Sequence, residues 1–192
     1  MISNFEKYFE YYWNNNKNYA IASEEDYSIL SELPNSIRSN IFKDFLFQDF
    51  LEQFNVHFIF AKPDLFQDKQ GLTVYYDWAD SLYSDFMISI LQALEPRFYQ
   101  AGDYIYEEGD EVNEHIYVIS RDPRKSLMST GGYAVGFRAK QNNYFHVRLG
   151  PKTIIVGYEN FYEKRAEFTY KALMHVDAYG LRKKDIKPIL DE

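Results

Sequence analysis

Carboxylates, histidines and hydroxyls are the groups in this chain with the reach to do chemistry, and their spacing decides whether they do. The 192 residues contain no cysteine, which removes thiol catalysis, zinc–thiolate sites and disulfides together. His57, His115, His146 and His175 nowhere form the H-x-H or H-E-x-x-H spacing by which imidazoles share a metal. A solitary histidine in a strand reads as structural. Gly131-Gly132 reads as a turn, because no Lys-Ser/Thr follows to complete a phosphate loop. No G-x-S-x-G nucleophile elbow occurs. Glu107-Glu108 and Asp110-Glu111 bring carboxylates close together, but around a glycine they read as the decoration of a solvated turn. No enzyme is expected.

Charge narrows the partners. A formal net charge of −8 disfavours nucleic acid, whose phosphates need clustered Lys and Arg. The local basic run Arg121–Lys125 (RDPRK) reads as a solvated loop. With 46% hydrophobic residues, 19% of the chain being aromatic, a packed core is available. No run approaches the roughly 20 apolar residues of a membrane span. The start, MISNFEKYFEYYW, lacks the cationic and apolar regions of a signal peptide. A soluble, cytoplasmic chain is expected.

Two kinds of periodicity divide the sequence. Up to about residue 55 the spacing is helical. Phe5, Tyr8, Phe9, Tyr12 and Trp13 give one aromatic face, ended by Asn14–Asn18. Ser23 with Glu24-Glu25-Asp26 reads as a cap and acidic first turn of a helix through Leu33. Pro34 suits the first turn of the next, with Ile37, Ile41, Phe42 and Phe45 on one side. Residues 54–77 are irregular; His57–Phe60 and Leu72–Tyr76 are candidate extended pieces. Over Trp78–Leu94 helical spacing returns, with Leu82, Phe86, Ile90 and Leu94 four apart.

From Arg97 onward the period is two. Strands are expected at 97–100, 104–107, 114–120, 132–139, 144–149, 153–157, 167–174 and 176–181. A long polar loop, Arg121–Gly131, separates the third and fourth, and a short helix, Lys183–Leu190, follows the last. In RFYQAGDYIYEEGDEVNEHIYVIS (Arg97–Ser120), alternating aromatic and β-branched residues are broken by Gly102-Asp103 and Gly109-Asp110, which read as tight turns.

This string resembles the opening of the cyclic nucleotide-binding domain family. Leu94, Pro96, Tyr99, Gly102-Asp103, Ile105, Glu108-Gly109-Asp110 and Ile116-Tyr117-Val118-Ile119 fall in step with it. The N-terminal half is similar to the C-linker of cyclic nucleotide-gated and hyperpolarisation-activated channels. Tyr11 or Tyr12, Trp13, Ile29-Leu30, Leu33-Pro34, Ile37-Arg38 and Ile41 carry that likeness. The resemblance implies an α+β fold: a helical C-linker-like region, then an eight-stranded antiparallel β-roll with flanking helices. The implied segments are 1–60 for the helical region, 61–77 for an insert, and 78–192 for the roll, whose final lid helix is absent or truncated. It further implies the cytosolic gating region of a cation channel of potassium type. Partners would then be neighbouring subunits, met through the N-terminal helices as a homotetramer, with the membrane touched only by segments outside this chain.

In ligand-binding members a phosphate cassette follows the sixth strand. There a short helix offers backbone N–H groups and an arginine pairs with the cyclic phosphate. A glutamate accepts the ribose hydroxyl, and a small hydroxyl residue donates another bond. The corresponding residues here are Gly157, Tyr158, Glu159, Arg165, Ala166, Phe168 and Thr169. Gly157 keeps the glycine. Tyr158 takes the glutamate position, Ala166 the arginine position beside Arg165, and Phe168 a small-residue position. Glu163 and Glu167 add negative charge where an anion should sit. The cassette reads as degenerate, with no cofactor and no cAMP or cGMP, and with Tyr158 expected to fill the pocket instead. A genuine cAMP or cGMP receptor using Gly157, Glu159, Arg165 and Thr169, and a stand-alone scaffold using the roll as a surface, stay open as alternatives.

Overall fold

The computed structural model describes residues 2–21, 24–63, 73–119, 133–139 and 147–191. Several expectations lie outside them: the Ser23 cap, the loop Arg121–Gly131 with its basic run, Gly132, His146, and most of the insert. Two compact units are present, Lys17–Gln92 and a second made of Met1–Asn16 with Ala93–Glu192. The first helix, α1 (Ile2–Asn15), belongs with the strands, the Tyr11 ring lying 4.8 Å from that of Phe98.

Among its described residues the second unit has eight strands: β1 (Leu94–Tyr99), β2 (Tyr104–Tyr106), β3 (Glu114–Ile119), β4 (Ala134–Phe137), β5 (Val147–Leu149), β6 (Thr153–Ile155), β7 (Thr169–Ala172) and β8 (Val176–Arg182). They form two four-stranded sheets, in the orders β1-β8-β3-β6 and β2-β7-β4-β5, and every pairing is antiparallel. That is the order of a jelly roll, a long hairpin folded over on itself so that two sheets face each other. The expected α+β fold with an eight-stranded antiparallel roll is therefore present. Ile116, Val118, Ile155, Val176 and Ala178 from one sheet meet Ala172 from the other, with Ile105 and Tyr170 packed alongside. On the reverse face Tyr117, Ile119, Tyr179 and Leu181 are buried too, so alternation alone understates how covered this sheet is. β1 starts three residues earlier than its expected position and includes Pro96. An edge strand tolerates that proline because one side of its ladder has no partner.

The two Gly-Asp turns are built alike. In the first, the Asp103 carboxylate accepts from Gln100 N–H at 2.7 Å, and Gly102 takes a left-handed φ of 96°. Gly102 N–H then donates to Ala172 O, and Ala172 N–H donates to Asp103 O, both at 2.8 Å. In the second, Asp110 accepts from Glu107 N–H at 2.8 Å, and Gly109 has φ 95°. Gly109 N–H donates to Ala166 O at 2.8 Å and Ala166 N–H to Asp110 O at 3.0 Å. Between these two clasps the register shifts: β2 advances two positions, Tyr104 to Tyr106, while β7 advances one, Lys171 to Tyr170.

A partly buried ion-pair fork crosses the first sheet. Arg97 on β1 donates to both oxygens of Glu114 on β3, at 3.0 and 2.7 Å, and to Glu95 at 2.9 Å. Both carboxylates raise the guanidinium's pKa, and burial opposes them.

Within Lys17–Gln92 the core is phenylalanine-rich: Phe42, Phe47, Phe50, Phe54 and Phe58 are buried with Tyr83, Met87 and Leu91. The helices are α2 (Glu24–Glu32), α3 (Asn35–Asn40), α4 (Gln48–Phe54) and α5 (Ser81–Ala93). Pro34 is the N-cap of α3 rather than part of its first turn. The expected face of Ile37, Ile41, Phe42 and Phe45 does not hold. A π-turn at Ile41–Leu46, closed by Phe47 N–H on Phe42 O at 2.9 Å, inserts one residue and re-phases the helix. Phe47 turns inward, whereas Phe45 is 79% exposed. Similarly, α1 leaves Phe9 and Trp13 exposed, and α5 buries Tyr83, Met87 and Leu91 while Leu82 faces out. Asn55–Phe58 is a 3-10 turn rather than an extended piece. Tyr75 does pair with Ala61 as an antiparallel bridge, with Tyr76 N–H donating to Phe60 O at 2.9 Å.

The Gly102 position has open space where a side chain would go, so replacing it isolates backbone strain. Gly102→Ala is expected to lower stability by about 1–2 kcal/mol, with Gly102→Asn costing less. Urea unfolding of the three proteins checks this.

Candidate functional site

After β6 the chain reverses into a five-residue helix, α6 (Gly157–Phe161). Val156 caps it in a left-handed conformation, φ 51°, and is buried. Gly157 is needed for space: a Cβ there would come within 2.8 Å of Ile154 Cγ2. The helix ends at a second left-handed residue, Glu163 (φ 56°), and Lys164 N–H bonds back to Glu159 O at 2.8 Å. Residues 162–168 then lead into β7.

Each cassette residue has a definite place. Tyr158 is 55% exposed, its hydroxyl accepting from Lys164 Nζ at 2.7 Å, with the ammonium also 4.5 Å from its ring centre. The expectation that Tyr158 fills the pocket is thus overturned, because the short helix sets it on the outward side. Glu159 is the buried acid, at 7% exposure. Burial raises the Tyr170 hydroxyl pKa, and the charges of Glu159 and Glu167 raise it further. Arg165 is exposed and donates from Nη1 to Gly109 O at 2.8 Å. Ala166 is buried in the clasp described above. Phe168 is partly buried beneath the Arg138 guanidinium, 5.1 Å from its ring centre. Thr169 is buried, and its Oγ1 accepts from Glu108 N–H at 3.0 Å.

The arrangement therefore gathers Arg165, Ala166 and Thr169 against the second Gly-Asp turn and leaves Glu159 as the enclosed charge. Arg165 and Thr169 bind that turn's backbone. Among the described residues no group of three or more His, Asp or Glu side chains could hold a metal ion, and no helix is long and apolar enough to cross a membrane.

Sequence reasoning missed a polar chain on the reverse side of α6. Asn160, 3% exposed, places Nδ2 2.8 Å from His115 Nδ1, and His115 Nε2 lies 2.9 Å from the Tyr117 hydroxyl. Burial pushes the imidazole pKa down to about 4. His115 stands alone in its strand, and Asn160 follows 45 positions later, so no local spacing signals their meeting.

No family model matches the chain, and no curated protein matches it. Among solved structures it is similar to a cyclic nucleotide-binding-like protein from Brucella abortus, at 14% identity and a TM-score of 0.46, over 57% of this chain and 85% of that one. It is also similar to the N-terminal domain of a transcriptional regulator from Streptomyces coelicolor, at 20% identity and a TM-score of 0.42, over 58% and 69%. Likeness at this level carries no argument about ligand or role, and the fold rests on the strand order itself.

The His115 environment gives a pH dependence. The unfolded imidazole takes up its proton near pH 6.5 and the folded one only near 4. Its contribution to stability is complete above about 6.5 and is lost as pH falls through that window. His115→Gln is expected to flatten this part of the pH profile of the urea midpoint. Equal slopes in both proteins would show that His115 is not held neutral.

Proposed function

We propose that this chain is a non-catalytic regulatory module on a roll of cyclic nucleotide-binding type, whose cassette does not take a cyclic nucleotide. The observation that carries this reading is the use of Arg165 and Thr169 by the second Gly-Asp turn, with Glu159 left as the buried charge. A phosphate needs a cation and free donors within reach. Here the exposed arginine donates to a backbone carbonyl, and the charges of Glu159 and Glu167 act on the Tyr170 hydroxyl. Repulsion and desolvation both disfavour an anion at such a position.

In this reading the module is the cytosolic gating region of a potassium-type cation channel, and it meets neighbouring subunits through its N-terminal helices. The outward aromatic pair Phe9 and Trp13 on α1, with rings 6.0 Å apart, supports a contact there, because large exposed aromatics together favour burial against a partner. Coupling to a pore then requires two states that the input stabilises unequally.

Calorimetry tests the ligand half. Neither cAMP nor cGMP is expected to give saturable heat, corresponding to a Kd weaker than about 1 mM. A micromolar Kd lost in Gly157→Trp would restore the receptor reading. Sedimentation tests the assembly half. A tetramer that dissociates when Phe9 and Trp13 are both replaced by Ser supports it, and a parent chain that stays monomeric at every concentration refutes it.

A further inference from the structure

Helix α6 inverts the usual partition of a surface helix. Its polar members Glu159 and Asn160 are buried, whereas Tyr158, Phe161 and the following Tyr162 are 55%, 69% and 59% exposed. Spaced three and four apart, these aromatics share one face. Their rings form a continuous cluster, with centroids 4.6 Å apart for Tyr158–Tyr162 and 5.2 Å apart for Phe161–Tyr162. Aromatic area gathered at a surface is stabilised when another surface covers it, and a patch of this kind rimmed by charge marks an interaction site.

The charges at the rim favour one occupant. Glu163 and Lys164 follow directly on the aromatic face, and both are exposed. Lys183, at the start of the terminal helix α7 (Lys183–Asp191), takes Oε1 of Glu163 at 2.7 Å. The second carboxylate oxygen of Glu163, on a side chain 68% exposed, has no partner among the described residues. Lys164 spends one N–H on the Tyr158 hydroxyl, and an ammonium has three to give. An acid and a cation with spare capacity thus stand side by side at the edge of the rings. Such a rim is complementary to itself. A two-fold axis between the two residues sets the Glu163 of each copy against the Lys164 of the other, beside the apposed rings. An anionic bilayer or an acidic segment is met instead by clustered cations without an acid among them.

We propose that α6 is the contact face of a two-fold dimer of this chain, with Tyr158, Phe161 and Tyr162 of the two copies packed together and Glu163 of each paired with Lys164 of the other. The dimer ties the cassette segments of two copies to each other, so that α6 in one cannot move without disturbing its counterpart. It uses neither Phe9 nor Trp13 and stands apart from the contact at α1.

Sedimentation of the full chain carrying Phe9→Ser and Trp13→Ser isolates this face from the α1 contact. The expected result is a monomer–dimer equilibrium with a Kd below about 100 µM. Adding Phe161→Ser and Tyr162→Ser weakens it by more than about tenfold. Glu163→Lys and Lys164→Glu, each at an exposed position, weaken it by about tenfold when tested alone, because like charges then face each other across the axis. An equimolar mixture of those two variants recovers the affinity, since each supplies the sign the other lacks. A chain that stays monomeric up to about 1 mM in this background overturns the dimer. A dimer indifferent to Phe161→Ser with Tyr162→Ser places the contact elsewhere and overturns the face. A mixture no tighter than its components overturns the two-fold pairing. A monomer that sediments with phosphatidylserine vesicles, and loses them with Phe161→Ser and Tyr162→Ser, assigns the face to a membrane and overturns the proposal.

Discussion

Backbone satisfaction at the end of the cassette is the constraint from which the rest of the roll follows. Ala166 is buried, so its N–H and C=O must each find a partner. Both find one in the second Gly-Asp turn, through Gly109 and Asp110. That reciprocal pair fixes where the cassette rejoins the sheet and aligns β7 against β2 over the few residues to the matching clasp at Ala172. It also draws the flanking side chains to the same turn. Thr169 Oγ1 accepts from Glu108 N–H, and Arg165 donates to Gly109 O. A segment whose homologous-looking residues suggest anion chemistry is here a seam between two parts of one sheet sandwich.

This explains what was legible in the sequence. Left-handed turn positions exclude most residues, so Gly102-Asp103 and Gly109-Asp110 announce themselves, and the continuous apolar run Ile116–Ile119 marks β3 as a strand buried on both faces. The outward turn of Arg165 was not legible, because direction depends on a partner 56 positions away. Tyr158 shows the same limit: a bulky aromatic in a cassette suggests a plug, but here its hydroxyl and ring meet Lys164 at the surface. In the other unit the π-turn defeats helical spacing. One inserted residue rotates everything after it by about 100°, so Phe45 faces out and Phe47 faces in, and no composition signal marks the insertion.

The Arg97–Glu114 fork shows how charge is tolerated near the roll's core. Their side chains are 19% and 15% exposed for Glu114 and Arg97, and the two meet through a pair of bonds, the fork geometry that guanidinium and carboxylate share. Glu95 carries the network on to Arg182 and thence to Asp185 at the head of α7. The roll and its terminal helix are thus linked by a chain of ion pairs, whereas α6 joins β3 through the neutral Asn160–His115 contact.

Val156 makes α6 behave as a loaded spring. A β-branched residue in the left-handed region sits above its relaxed conformation by about 1–2 kcal/mol, and only tight packing on its side chain keeps it there. Any event that lifts α6 from the roll lets Val156 relax and recovers that energy. Displacement of this one helix is therefore downhill for its capping residue before any other contact is counted.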